Sequence, residues 1–154
     1  MNETTITARP GTPFIDIVRE FDAPPHLVFR AWTDPEIVPR WLGPSTTTMT
    51  VVEWDATPGG RYSYVHRDQD GEYGFRGVFH TVVADERIVQ TFQYDGRPQD
   101  VSLETLTFED LGGRTRVRNH AVFGSVESRD AMIESGMERG VRDSMARLEQ
   151  LLPR

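Results

Sequence analysis

Between Thr46 and Phe123 the chain is a succession of six stretches, 48–54, 61–67, 74–83, 87–94, 101–108 and 114–123, each rich in β-branched and aromatic residues. Only turn chemistry separates them: Pro58-Gly59-Gly60, Asp70-Gly71, Ala84-Asp85-Glu86, Asp95-Gly96 and Gly112-Gly113. A parallel return needs about a dozen residues or more, so neighbours joined this closely must run antiparallel. Such a meander has a face to bury, and residues 128–152 can cover it. Met137, Val141, Met145, Leu148 and Leu152 recur at helical spacing there, with Ile133 and Leu151 alongside, while Glu138, Arg139, Arg142, Asp143 and Glu149 lie opposite. The apolar arc is incomplete. Gly140 and Ser144 fall inside it, and a glycine in a helix interior costs about 1 kcal/mol relative to alanine. Either another backbone packs closely at Gly136 and Gly140, or a cavity opens.

Ahead of the meander, 14–21 alternates as a strand, with Ile15, Ile17 and Phe21 on one face and Asp16 and Glu20 on the other. Asp22 can cap a short helix that tolerates Pro24 and Pro25 in its first turn and carries Leu27, Val28, Ala31 and Trp32 as its apolar stripe. Asp34-Pro35-Glu36 opens a second short helix that closes on Gly43-Pro44. The expected organisation is a polar tail over 1–13 and a single α+β domain over 14–154. In that domain a curved antiparallel sheet of six to seven strands wraps a long C-terminal helix.

The 154-residue chain has no cysteine and a formal net charge of −7, with no clustered basic stripe. That balance repels phosphate backbones and argues against nucleic acid as a partner. No apolar run approaches the roughly 18 residues of a membrane span, and the first residues lack the pattern of a signal peptide. A cytoplasmic protein is expected. His26, His66, His80 and His120 show no metal-like spacing, so neither a metal nor another cofactor is expected. There is no phosphate loop, nucleophile elbow or cysteine nucleophile, and Asp55, Asp85 and Glu104 could act as acids or bases only if buried near one another.

An ordered set of motifs runs through nearly the whole chain. It comprises Ala23-Pro24-Pro25 with Val28-Phe29, Ala31-Trp32-Thr33-Asp34-Pro35-Glu36 and Arg40-Trp41-Leu42-Gly43-Pro44. Further on come Asp55 with Pro58-Gly59-Gly60, Asp70-Gly71, Gly77, Asp85-Glu86-Arg87-Ile88, Gly112-Gly113 with Thr115, and Gly136-Met137 with Gly140. In these motifs the chain resembles the activator-of-Hsp90-ATPase-like branch of the START-like superfamily. The resemblance implies the helix-grip fold and a cavity between sheet and last helix that in relatives often holds an apolar or amphipathic small molecule. It also implies a stress-response co-chaperone role as an alternative, and a cofactor-free cyclase or dehydratase activity as another, with a homodimer plausible. Where the family often has glycine then tryptophan in the last helix, this chain has Gly140-Val141.

Candidate ligand contacts are Trp41, Tyr62, Tyr64, His66, Phe75, Phe79, Phe92, Asn119, Met137, Gly140, Val141, Ser144 and Met145. Trp41 either lines the mouth of a cavity or plugs the end of the core, whereas Trp32 reads as core. The aromatics of the middle strands make either a pocket wall or ordinary sandwich core. Gly77, between two phenylalanines, marks a bend or a close approach. Asn119 has inward parity, so its amide must find backbone partners, water or a ligand.

Overall fold

The computed structural model describes residues 2–153. Residues 1 and 154, the outer ends of the expected tail and domain, lie outside the described residues. The strands are β1 (Thr5–Thr7), β2 (Phe14–Phe21), β3 (Thr48–Trp54), β4 (Arg61–Asp68), β5 (Gly71–Val83), β6 (Arg87–Tyr94), β7 (Val101–Asp110) and β8 (Thr115–Val122). They form one curved antiparallel sheet in the order β1-β2-β8-β7-β6-β5-β4-β3. Every connection from β3 to β8 is a hairpin between neighbours, as the short turns require.

The sheet has eight strands, one more than the expected range, because the presumed tail contributes β1. Ile6 pairs with Ile17 and packs against the Ile15 cluster. Two arginines tether the residue just ahead of this short strand: Arg19 donates to the Thr4 hydroxyl at 2.9 Å, and Arg142 donates to the Thr4 carbonyl.

Helix α1 (Pro25–Thr33) begins on Pro24 with no side-chain cap. Asp22, the expected cap, instead accepts from Arg114 at 2.9 Å. The expected second helix is a single 3-10 turn, Val38–Arg40, in which proline supplies no N–H to extend it. Asp34 organises its approach by accepting the Glu36 amide at 2.9 Å.

The expected single C-terminal helix is two, α2 (Val126–Glu134) and α3 (Met137–Leu151). Ser125 caps α2 by accepting the Ser128 amide at 3.0 Å. Gly136 stands between the helices at φ 85°, a left-handed conformation that ends the first helix and redirects the chain into the second. That break explains Gly136 without any close backbone packing.

The buried interior falls into two clusters. The larger includes Phe21, Val28, Trp41, Tyr62, Tyr64, Phe79, Ile88, Leu106, Phe108 and Leu148. The smaller is Ile15, Ala121 and Phe123 under Met132, Ile133 and Met137. Trp32 edges onto Phe108 at 5.6 Å and onto Trp41 at 4.7 Å, closing one end of the sheet with a chain of perpendicular rings.

Candidate ligand cavity

A cavity of about 680 Å³ lies between the sheet and the two C-terminal helices and touches members of both core clusters. Its sheet wall is built by strand alternation. Inward positions of β4, β5 and β6 place Tyr64 on Phe75 at 5.4 Å, Phe75 on Phe92 at 5.6 Å, and Phe75 beside Tyr94 at 5.2 Å. Gly77 lets this wall close up: a side-chain carbon there would lie 2.0 Å from the Thr91 carbonyl and 2.5 Å from the Tyr62 ring. In its absence the Tyr62 hydroxyl donates to Thr91 at 2.6 Å. The close approach anticipated at Gly77 is therefore made by the neighbouring strand and by Tyr62.

Of the residues singled out from sequence, Trp41, Tyr62, Tyr64, His66, Phe75, Phe92, Asn119, Met137, Gly140, Val141, Ser144 and Met145 all line this space. Phe79 does not; it is packed between Trp54 and Tyr62 in the closed core. Trp41 lines the cavity but is 1% exposed and donates its indole N–H to the Ala31 carbonyl at 2.9 Å, so it is a plug and not a mouth residue. Trp32, read as core, is only half-buried and also borders the space. The exposed lining residues are Pro44, in the loop after Trp41, and Arg97 and Ser135, where the β6–β7 loop meets the junction of α2 and α3. There Asp100 accepts from Arg97 at 2.7 Å and from Ser128 at 2.8 Å.

The incomplete face of α3 has two different explanations. Ser144 is not missing volume. Its hydroxyl accepts from the Gly43 amide at 2.8 Å and donates to the Gly43 carbonyl at 3.1 Å, while Arg147 donates to the same carbonyl at 3.0 Å. The loop after Trp41 is thereby clamped to the helix. Gly43 itself sits over the His66 ring, where a side-chain carbon would come within 2.4 Å of the imidazole. At Gly140, by contrast, the nearest atom a new side-chain carbon would meet is Pro44 Cγ at 3.6 Å, ordinary contact. No strand backbone presses on it.

One end of the cavity is polar. Register places Gln90 opposite Glu104 and Glu104 opposite Ala121, with Asn119 two residues before Ala121 on the same face. Gln90 donates to one Glu104 oxygen at 3.0 Å and Asn119 to the other at 3.1 Å. Burial pushes the Glu104 carboxyl above its ordinary value, and the two amide bonds oppose that rise. The Asn119 carbonyl oxygen is buried without a partner. Burial also raises the Tyr62 and Tyr64 phenols, with the charge of Glu104 adding to both, so the aromatic wall stays neutral. His66 is held below its usual value by burial first and by Arg147 second. On β2, Arg19 reaches the cavity with its guanidinium tied to Glu149 at 3.0 Å; its Nε has no partner.

Glu104 is the one member of the three carboxylates weighed from sequence that turns inward; Asp55 and Asp85 are exposed turn residues. Gln90 and Arg19 were not anticipated. Gln90 shares parity with Ile88 and Phe92, and Arg19 with Ile17 and Phe21, so alternation could have placed both inside. The strand histidines do not converge: His66 enters the cavity, His80 is exposed, and His120 pairs with Asp16 at 2.6 Å. Among the described residues no three metal-ligating side chains cluster. Nor is any helix there long and apolar enough to cross a membrane.

Residues 22–153 match the family described as Activator of Hsp90 ATPase homolog 1-like protein. The chain belongs to this family. No curated protein matches it. Solved structures with the same fold include a protein of Mycobacterium smegmatis, 24% identical, covering 98% of each chain with a TM-score of 0.88. A protein of Arthrobacter aurescens is 28% identical over 94% of this chain and 88% of its own, with a TM-score of 0.86. One of Chromobacterium violaceum is 27% identical over 92% of this chain and 99% of its own, with a TM-score of 0.82.

Proposed function

We propose that this member of the activator-of-Hsp90-ATPase-like family binds a small, largely apolar molecule between its sheet and its C-terminal helices. The observation that carries this reading is the cavity itself. At about 680 Å³ it falls within the roughly 300–1,000 Å³ of small-molecule sites, and it pairs aromatic walls with a few converging polar groups. Interiors are otherwise packed to the density of organic crystals, so a space this large forgoes contacts that a purely structural core would make. A reducing cytoplasm suits the cysteine-free chain.

Native mass spectrometry of the freshly purified protein, followed by analysis of an organic extract, tests the reading. A bound small molecule that raises the melting temperature of the stripped protein supports it. Absence of any co-purifying molecule, together with no thermal response to apolar probes, would count against it. Stimulation of a purified Hsp90-type ATPase by a protein that ignores such probes would favour the chaperone role that the family description suggests.

A further inference from the structure

We infer that the molecule taken by this cavity carries a protonated amine on an aromatic or apolar body, the ammonium seated against Glu104 and Asn119 and the body along the Tyr64–Phe75–Phe92 wall. This inference rests on the cavity being a ligand site, as proposed above. Its starting point is an uncompensated acid. Among the described residues the partners of Glu104 are neutral, Gln90 and Asn119, each donating one N–H to one of its oxygens. In both bonds the carboxyl accepts, and the ionised group accepts on both oxygens at once. An ionised carboxylate offers about four acceptor sites, so the two amides leave it unsaturated. Next to it the Asn119 carbonyl oxygen, another acceptor, is buried without a partner. An inward-facing charge of this kind is paired in most proteins, and among the described residues no cation pairs with it.

The remaining groups around this end fit the same charge. Beside it Tyr64, Phe75 and Phe92 stack on one another at 5.4 and 5.6 Å, a continuous aromatic wall for the body of the molecule. Arg19 also lines the cavity, but its charge is engaged by Glu149 and its NH1 by the Thr4 hydroxyl. The other charged side chains that line the cavity are paired, Arg19 with Glu149 and Arg97 with Asp100, so an ionised Glu104 leaves it with one negative charge to spare. A primary ammonium brings three donors and one positive charge to a place that has acceptors and one negative charge to spare. A ligand carboxylate would meet Glu104 with like charge.

The test uses three probes that share one body: naphthylethylamine, naphthylethanol and naphthylacetate, titrated by calorimetry into the stripped full-length protein at neutral pH. The expected result is that the amine binds at least about tenfold more tightly than the alcohol, and the acetate more weakly than either. Glu104→Gln should erase the advantage of the amine while the alcohol still binds. Equal affinities, or a preference for the acetate, would overturn the inference and leave the ligand-binding reading standing. Binding of none of the three would overturn both. Should Glu104→Gln not fold, the wild-type protein supplies a second readout in the carbon resonance of the Glu104 carboxyl. Its titration should move to lower pH with the amine bound and stay in place with the alcohol. A titration indifferent to the amine would defeat the assignment.

Discussion

Glu104 shows most directly how a single residue connects stability to the site. Burial raises its carboxyl above the ordinary 4.5, so the native state keeps the proton to a higher pH than the unfolded chain does. The stability this confers is complete below about pH 4.5 and is lost as pH rises through the higher native value. A non-titrating amide escapes that loss. Glu104→Gln is therefore expected to differ little from wild type near pH 4.5 and to become the more stable of the two as pH increases, the gap levelling off above the native pKa. Urea denaturation of ligand-free protein at a series of pH values measures it, and a gap that shrinks with rising pH would contradict the account. Ser144 carries a second expectation. Its hydroxyl alone holds the Gly43 amide, so Ser144→Ala should cost about 1–2 kcal/mol and loosen the loop that covers His66. Neither role was legible from the sequence. Composition shows a serine in an apolar arc and an acid in a β-pattern, but which one meets a loop and which one meets a void depends on partners about 14 to 100 residues away.

At the scale of elements, the strands were legible because alternation and turn residues are local signals, and β3 and β6 have the bounds read from sequence. Thr5–Thr7 was not, since three residues with one apolar side chain carry no period; the strand forms by pairing with β2, and Arg19 and Arg142 tether Thr4 just ahead of it. The break between α2 and α3 was hidden for the opposite reason. The apolar positions keep helical spacing across Gly136, and only its left-handed backbone shows the turn. Two glycines four residues apart should consequently respond to alanine with opposite sign. Gly136→Ala forces a side chain into the left-handed region and should destabilise by about 1–2 kcal/mol. Gly140→Ala adds helix propensity with only Pro44 at ordinary contact distance, and should stabilise by up to about 1 kcal/mol. Thermal and urea melts of the two variants decide the matter; destabilisation at Gly140 would mean that something presses on α3 after all.

At the scale of the whole molecule, the fold holds a divided core: one closed end built from interlocking tryptophan and phenylalanine rings, and one end where sheet and helices stand apart. Two buried alanines sample the two regimes. Ala31, 1% exposed on α1, is surrounded by the closed cluster, and its carbonyl accepts the Trp41 indole. Ala121, 5% exposed on β8, lines the cavity opposite Glu104. In a filled interior extra carbons force neighbours off their rotamers, so Ala31→Leu should destabilise by about 1–3 kcal/mol. At Ala121 the same carbons enter empty space, where each buried methylene contributes about 0.8 kcal/mol, so Ala121→Leu should fold at least as stably as wild type. It should also lose affinity for the naphthyl probes, because the added side chain takes volume beside the polar end. Melting curves with and without probe compare the pair. If Ala121→Leu were as damaging as Ala31→Leu, the space beside Glu104 would not be open in solution; if it were stable and still bound the probes unchanged, they would be seated elsewhere in the molecule.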